Sequence, residues 1–176
     1  MKNVLIVVDM QTDFVNGALG TAEAQAIVPA VEKYIREAKA AGTEILFTRD
    51  THKEEYMETR EGKYLPVPHC IAGTDGWQII PELIPYTKDA AVIDKPTFGS
   101  VELMQKLTKE NASDPIDRIT LIGLCTDICV ISNAMLLKAA MPEVDIAVVS
   151  SCCAGVTAES HKNALESMKM CQIEVL

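Results

Sequence analysis

Four stretches of this chain gather the residue types that hydrolytic chemistry uses. Asp9 closes the aliphatic run Val4 to Val8, and Arg49-Asp50-Thr51-His52 follows a second run. Asp94-Lys95 follows a third, and Gly123-Leu124-Cys125-Thr126-Asp127-Ile128-Cys129 a fourth. A carboxylate can take up and return a proton as general base and acid. A lysine can stabilise neighbouring anions, and a cysteine can attack a carbonyl carbon as its thiolate. Cys129 is expected in the first turn of a helix, where unpaired backbone amides and the helix dipole favour an anion, so its thiol should ionise readily. Cys125 is its rival, or lends its backbone N–H from the turn itself. Each residue also has a plainer reading: a buried structural cysteine, a solvated strand-end lysine, a turn aspartate. Their convergence carries more weight than any one of them.

A second set has the chemistry of a metal site. Asp50-x-His52 puts a carboxylate and an imidazole on one short loop, and His69 of Val67-Pro68-His69-Cys70 could return to complete it. Such a set can hold a divalent cation with positions left open; a salt-bridged loop is the alternative. His161, between Ser160 and Lys162, is read as a surface residue without a role.

The elements that must position these residues alternate. Strands are expected at Val4 to Val8, Glu44 to Thr48, Ala90 to Ile93, Ile119 to Leu124, Ile146 to Val149 and Ile173 to Leu176. Helices are expected from about Ala22 to Ala41, near Val101 to Lys109, over Asp127 to Ala140 and over Ala158 to Met170. The alternation implies βαβ units and a mainly parallel sheet of five or six strands. In such sheets ligands bind beyond the carboxyl ends of the strands, where the four stretches stand. Thr51 to Tyr86 is the exception, an irregular insert with Pro66, Pro68, Pro81 and Pro85. Inserts of that length in compact domains usually serve function.

The 176 residues suit one domain, 1–176, with a sizeable core. Sixteen basic residues against 25 acidic ones, with no basic run, exclude a nucleic-acid-binding surface. No apolar run approaches the ~20 residues of a membrane span, and no export signal is expected. Cytoplasmic location is therefore the expectation. The six cysteines contain no CxxC pair and are read as reduced thiols. Cys129 to Met141 has few polar positions, namely Ser132, Asn133 and Lys138, so a second copy of the chain is expected to help bury it in a homo-oligomer.

Three motifs then carry a resemblance. Val7-Val8-Asp9-Met10-Gln11-Thr12-Asp13-Phe14 resembles the opening motif of the isochorismatase-like cysteine hydrolases, a superfamily that includes nicotinamidases and N-carbamoylsarcosine amidase. Lys95-Pro96-Thr97-Phe98-Gly99-Ser100 resembles its lysine motif, and Gly123 to Val130 its nucleophile motif. Thr48 to His52 and Pro68-His69-Cys70 with Gly73-Thr74 are similar to the loops that carry metal in nicotinamidases. The resemblance implies a Rossmann-like three-layer α/β/α fold and a Cys129–Asp9–Lys95 triad. It also implies a cis peptide at Leu124-Cys125 and an oxyanion hole from the Cys125 and Cys129 N–H groups, each such donor being worth ~3 kcal/mol. Phe14 and Trp77 are the expected substrate-binding aromatics. One divalent metal, zinc first, is expected at Asp50, His52 and His69, with no organic cofactor. Isochorismatases proper lack the cysteine, so C–N bond hydrolysis of a small-molecule amide such as nicotinamide is the implied activity.

The sequence departs from the nicotinamidase pattern in places. Thr51 stands where Trp is usual, Lys53-Glu54-Glu55-Tyr56 lacks a further His, and Pro66 replaces an aromatic. Alternatives are therefore a metal-free amidase on another amide or carbamoyl compound, a non-catalytic binding member, and a Cys-His hydrolase using His52 or His69.

Overall fold

In the computed structural model, which describes residues 2–176, six parallel strands form one sheet: β1 (Lys2–Val8), β2 (Glu44–Asp50), β3 (Ala91–Lys95), β4 (Ile116–Leu124), β5 (Asp145–Ala154) and β6 (Glu174–Val175). Their spatial order is β3-β2-β1-β4-β5-β6. The chain runs outward from β1 in one direction and, from β4, in the other. This doubly wound order leaves a crevice between β1 and β4, where connections leave to opposite faces. The helices are α1 (Thr12–Val15), α2 (Ala22–Ala40), α3 (Arg60–Tyr64), α4 (Ile84–Thr87), α5 (Val101–Ser113), α6 (Ile131–Ala140) and α7 (Ala158–Met170).

Alternation along β1 divides the core. Val4, Ile6 and Val8 pack with Leu103 and Leu107 of α5, Ala134 and Leu137 of α6, and Leu165 and Met168 of α7. Leu5 and Val7 pack on the other face with Ala24, Val31 and Ile35 of α2 and with Ile79, Ile80 and Leu83 from the insert. Both faces of the sheet are covered, which is why the strands read as continuous aliphatic runs. The result is the three-layer α/β/α arrangement.

Caps fix where helices begin. The Thr21 hydroxyl accepts from the Ala24 N–H, Ser100 caps α5, and Thr157 with Ser160 makes a reciprocal box at α7. Gly123 has φ of +113°, and a Cβ there would lie 2.2 Å from the Val8 carbonyl oxygen, so only glycine lets β4 pass this close to β1.

Two sequence expectations need correction. The helix expected over Asp127 to Ala140 is divided: a wider π turn spans Thr126–Val130 before α6 begins. The Cys125 carbonyl accepts from the Ile128 and Val130 N–H groups and passes over the Cys129 amide between them. The fifth strand continues past Val149 to Ala154, because the register with β4 shifts between Leu121 and Gly123 and resumes at Cys153. The insert is irregular as expected, built of short turns including Glu54–Glu58 and Pro81–Leu83.

Candidate active site

Three strand ends meet at the crevice. Asp9 follows β1 in a left-handed conformation with φ of +48°, which a non-glycine residue adopts only when held there. The hold comes from β2: the Asp9 N–H donates to the Thr48 carbonyl at 3.2 Å, and the Thr48 hydroxyl donates to Asp9 Oδ1 at 2.6 Å. Lys95 ends β3, and Cys129 lies in the π turn after β4. Lys95 Nζ stands 2.7 Å from Asp9 Oδ2, 3.4 Å from Cys129 Sγ and 3.1 Å from the Thr97 carbonyl. Three residues far apart in sequence thus share one buried ammonium. Asn133 locks the parts together, donating to the Cys129 and Phe98 carbonyls and accepting from the Ser100 N–H.

The trio is buried, and that sets its electrostatics. Asp9 is fully buried, and Lys95 and Cys129 nearly so. Burial raises the Asp9 carboxyl above its usual range, the Lys95 charge opposing it. Burial and then the Asp9 charge push the Cys129 thiol well up, with Lys95 opposing. The expectation of an easily ionised thiol is therefore corrected: the resting sulfur is an S–H, and desolvation outweighs the helix dipole. Lys95 stays charged, since its anionic neighbours, Asp9 foremost, overcome its burial. The Cys125 thiol is pushed up to about 12 by burial. What separates the two cysteines is contact, because only Cys129 touches the ammonium. The Leu124-Cys125 peptide is cis.

Beside this trio, Asp50, His52, Glu61 and His69 bring one ligand atom each within 4.8 Å of one another. His52 Nε2 is 2.9 Å and His69 Nε2 3.5 Å from Asp50 Oδ2, while Glu61 Oε1 lies 3.6 Å and 3.9 Å from the same two nitrogens. His69 Nδ1 lies 2.8 Å from the Val67 carbonyl, which can only accept. That contact puts the proton on Nδ1 and leaves Nε2 as the lone-pair atom facing the cluster, as a metal-ligating imidazole requires. Asp50 Oδ1 is buried without a hydrogen bond, its nearest cation being Lys95 at 3.5 Å. Burial would raise Asp50, but the neighbouring His52 and His69 imidazoles and the Lys95 charge hold it well below the usual carboxylate range. Two imidazoles and two carboxylates, one of them carrying an orphaned oxygen, fit a divalent cation.

A cavity of about 350 Å³ opens over both clusters. Phe14, Cys125, Cys129, Asp50, Glu61 and His69 line it, together with Leu19, Tyr64, Leu65, Phe98, Leu124, Ile128 and Val156. Phe14 stands 5.5 Å from the His69 ring, centroid to centroid. Trp77, the other expected aromatic, does not line the cavity. Its Nε1 donates to the Thr51 hydroxyl and Arg49 stacks on its ring at 3.6 Å, so it braces the loop that carries Asp50. His161 is half-buried rather than on the surface, its Nδ1 2.7 Å from the buried Thr126 hydroxyl in the nucleophile turn. Neither His52 nor His69 makes a hydrogen bond to Cys129, so a Cys-His arrangement is absent among the described residues.

Sequence reasoning missed Glu61 and Gln11. Gln11, fully buried, accepts from the Asp50 N–H and donates to the Asp50 and Trp77 carbonyls. An amide side chain two residues past a strand-end aspartate was its only signal. Glu61 had none, since it comes from the insert, where no periodicity assigns a face.

A doubly wound sheet with cysteine, aspartate and lysine at its switch point defines a class, and residues 3–176 match the Isochorismatase domain family. The chain belongs to that family. It is 26% identical over 183 residues to the nicotinamidase/pyrazinamidase of Mycobacterium tuberculosis, covering 98% of this chain and 97% of that protein. The crystal structure of the pyrazinamidase of Pyrococcus horikoshii in complex with zinc superposes with a TM-score of 0.84 at 31% identity, over 100% of this chain and 99% of that one. N-carbamoylsarcosine amidase from Thermoplasma acidophilum superposes with a TM-score of 0.81 at 26% identity, over 99% and 95%.

Proposed function

We propose that the protein is a nicotinamidase-like amidohydrolase, cleaving the C–N bond of a small carboxamide through a thioester on Cys129, with nicotinamide the first substrate to test. The observation that carries this reading is the single buried ammonium of Lys95 joining the Asp9 carboxylate to the Cys129 sulfur.

The chemistry follows from the charges. Asp9 takes the Cys129 proton as the sulfur attacks the amide carbon, and its burial makes it a stronger base than an exposed aspartate. Lys95 stays cationic throughout, so anionic charge moves between carboxylate and sulfur past a fixed positive centre. The amides of Cys125 and Cys129 receive the oxyanion; the π turn keeps the Cys129 N–H away from the Cys125 carbonyl. Asp9 returns the proton to the departing nitrogen and ammonia leaves. A water molecule, deprotonated by Asp9, then hydrolyses the thioester to the acid and frees the thiol.

Asp50, His52, Glu61 and His69 would hold the divalent metal, zinc foremost given the zinc-bound pyrazinamidase. When bound, the metal supplies a Lewis acid for a substrate heteroatom or water. Phe14, tilted against His69 on the cavity wall, packs on the substrate ring.

The test is ammonia release from nicotinamide by the wild type and by Cys129→Ala, with iodoacetamide labelling of each thiol in parallel. Loss of release in the variant is the expected result, and Cys129, whose buried thiol keeps its proton, should label more slowly than the exposed Cys171. Wild-type rates in Cys129→Ala would overturn the assignment.

A further inference from the structure

The cavity is larger and more apolar than its reactive end requires. At the floor stand Cys129 and the four-residue cluster. At the mouth stand Tyr64, Phe98 and Val156, which are 78%, 45% and 55% exposed although large and apolar. The mouth residues are anchored to the reactive parts. Tyr64 lies one helical turn beyond Glu61 on α3, and Arg60 stacks over its ring at 5.6 Å. Phe98 sits on the loop after Lys95, its carbonyl accepting from Asn133, which also holds Cys129. Leu65 and Ile128 continue the apolar wall between mouth and floor.

Charge is equally one-sided. Among the described residues no lysine or arginine side chain lines the cavity: Lys95 is 1% exposed and already paired with Asp9 and Asp50, and Arg60 lies over the Tyr64 ring at the mouth. The acidic groups facing the cavity are Asp50 and Glu61. A divalent metal held at the floor would have its charge matched by Asp50 and Glu61, so a substrate carboxylate reaching the apolar wall would lose its hydration and meet no lysine or arginine there. An apolar body would cover exposed Tyr64, Phe98 and Val156 and remove their surface from water.

From this we infer that the enzyme prefers an uncharged aromatic carboxamide carrying an apolar substituent that reaches the mouth, and rejects amides and carbamoyl compounds that bear a carboxylate. This rests on the hydrolase reading above. Tyr64 and Phe98 are the specificity-determining residues, and they act on the part of the substrate remote from the amide.

The experiment compares kcat/KM for three probes: nicotinamide, nicotinamide with an alkyl or phenyl group on a ring carbon remote from the carboxamide, and N-carbamoylglycine. Burying a few methylenes of the substituent should raise kcat/KM about tenfold or more over nicotinamide. N-carbamoylglycine should be turned over at least ~100-fold worse than nicotinamide, the discrimination expected where a buried polar group finds no partner. In Phe98→Ser and Tyr64→Ser the advantage of the extended amide should fall toward unity, mainly through KM. That ratio is taken within each variant, so it does not depend on how much protein folds. An extended amide no better than nicotinamide, a ratio unmoved in both variants, or efficient turnover of N-carbamoylglycine would overturn the inference while leaving Cys129-dependent hydrolysis standing. Release from none of the probes overturns both.

Discussion

Thr48 provides a sharp test of how Asp9 works. Its hydroxyl donates to Asp9 Oδ1 at 2.6 Å in a fully buried site, leaving Oδ2 for the ammonium and the sulfur. Thr48→Val keeps the shape and removes the donor. A hydrogen bond to a charged group contributes about 1.5–3 kcal/mol, and one pKa unit corresponds to about 1.4 kcal/mol. Asp9 already sits above the usual carboxylate range because it is buried, and Thr48 is one of the groups holding it down. Without the donor its pKa rises further by about one to two units. Asp9 must be ionised in the free enzyme to accept the thiol proton, so activity is present above its pKa and lost as pH falls through it. The acidic limb of kcat/KM, which reports the free enzyme, should therefore move to higher pH by about one to two units, and Thr48→Ser should move it back. A limb that stays in place, or moves to lower pH, would refute Asp9 as the base or Thr48 as its partner.

Other perturbations separate structure from chemistry. Lys95→Met should abolish turnover and also destabilise the fold by ~3–5 kcal/mol in urea unfolding, because it strands two buried carboxylates. Glu61→Gln should weaken zinc binding measured by competition with a chelator, by ~10-fold or more, while leaving iodoacetamide labelling of Cys129 close to wild type. Chelation of the wild type should lower nicotinamide turnover, and added zinc should restore it. Gly123→Ala should lower the unfolding free energy by several kcal/mol, since the new Cβ would meet the Val8 carbonyl at 2.2 Å and φ is +113°.

What could be read in advance was whatever local pattern determines. Aliphatic runs bounded by Asp9, Asp50 and Lys95 mark buried parallel strands and their ends, and a parallel sheet brings those ends to one edge whatever the intervening helices do. Tertiary burial is not a local property, so the Cys129 thiol was expected to ionise easily when burial in fact holds its proton on. The same limit misplaced Trp77. An aromatic in an irregular insert can face a cavity or brace a loop, and only the contacts with Arg49 and Thr51 distinguish the two. His161 looked like a surface residue because its neighbours Ser160 and Lys162 are polar, yet one face of α7 turns it toward Thr126. The break at Val130 depends on which amides the Cys125 carbonyl accepts, and no side-chain periodicity encodes that.

The segment between β2 and β3 holds Glu61, Tyr64, Leu65 and His69, whereas Asp9, Lys95 and Cys129 stand on the sheet or directly after it. One specificity-determining residue, Tyr64, and three members of the metal cluster are thus written in one piece of the polypeptide, and the other specificity-determining residue, Phe98, in the short loop after β3. Transplanting that segment together with the Phe98 loop, both joined to the ends of neighbouring parallel strands, would give a descendant enzyme with a new diet while Asp9, Lys95 and Cys129 stay in place.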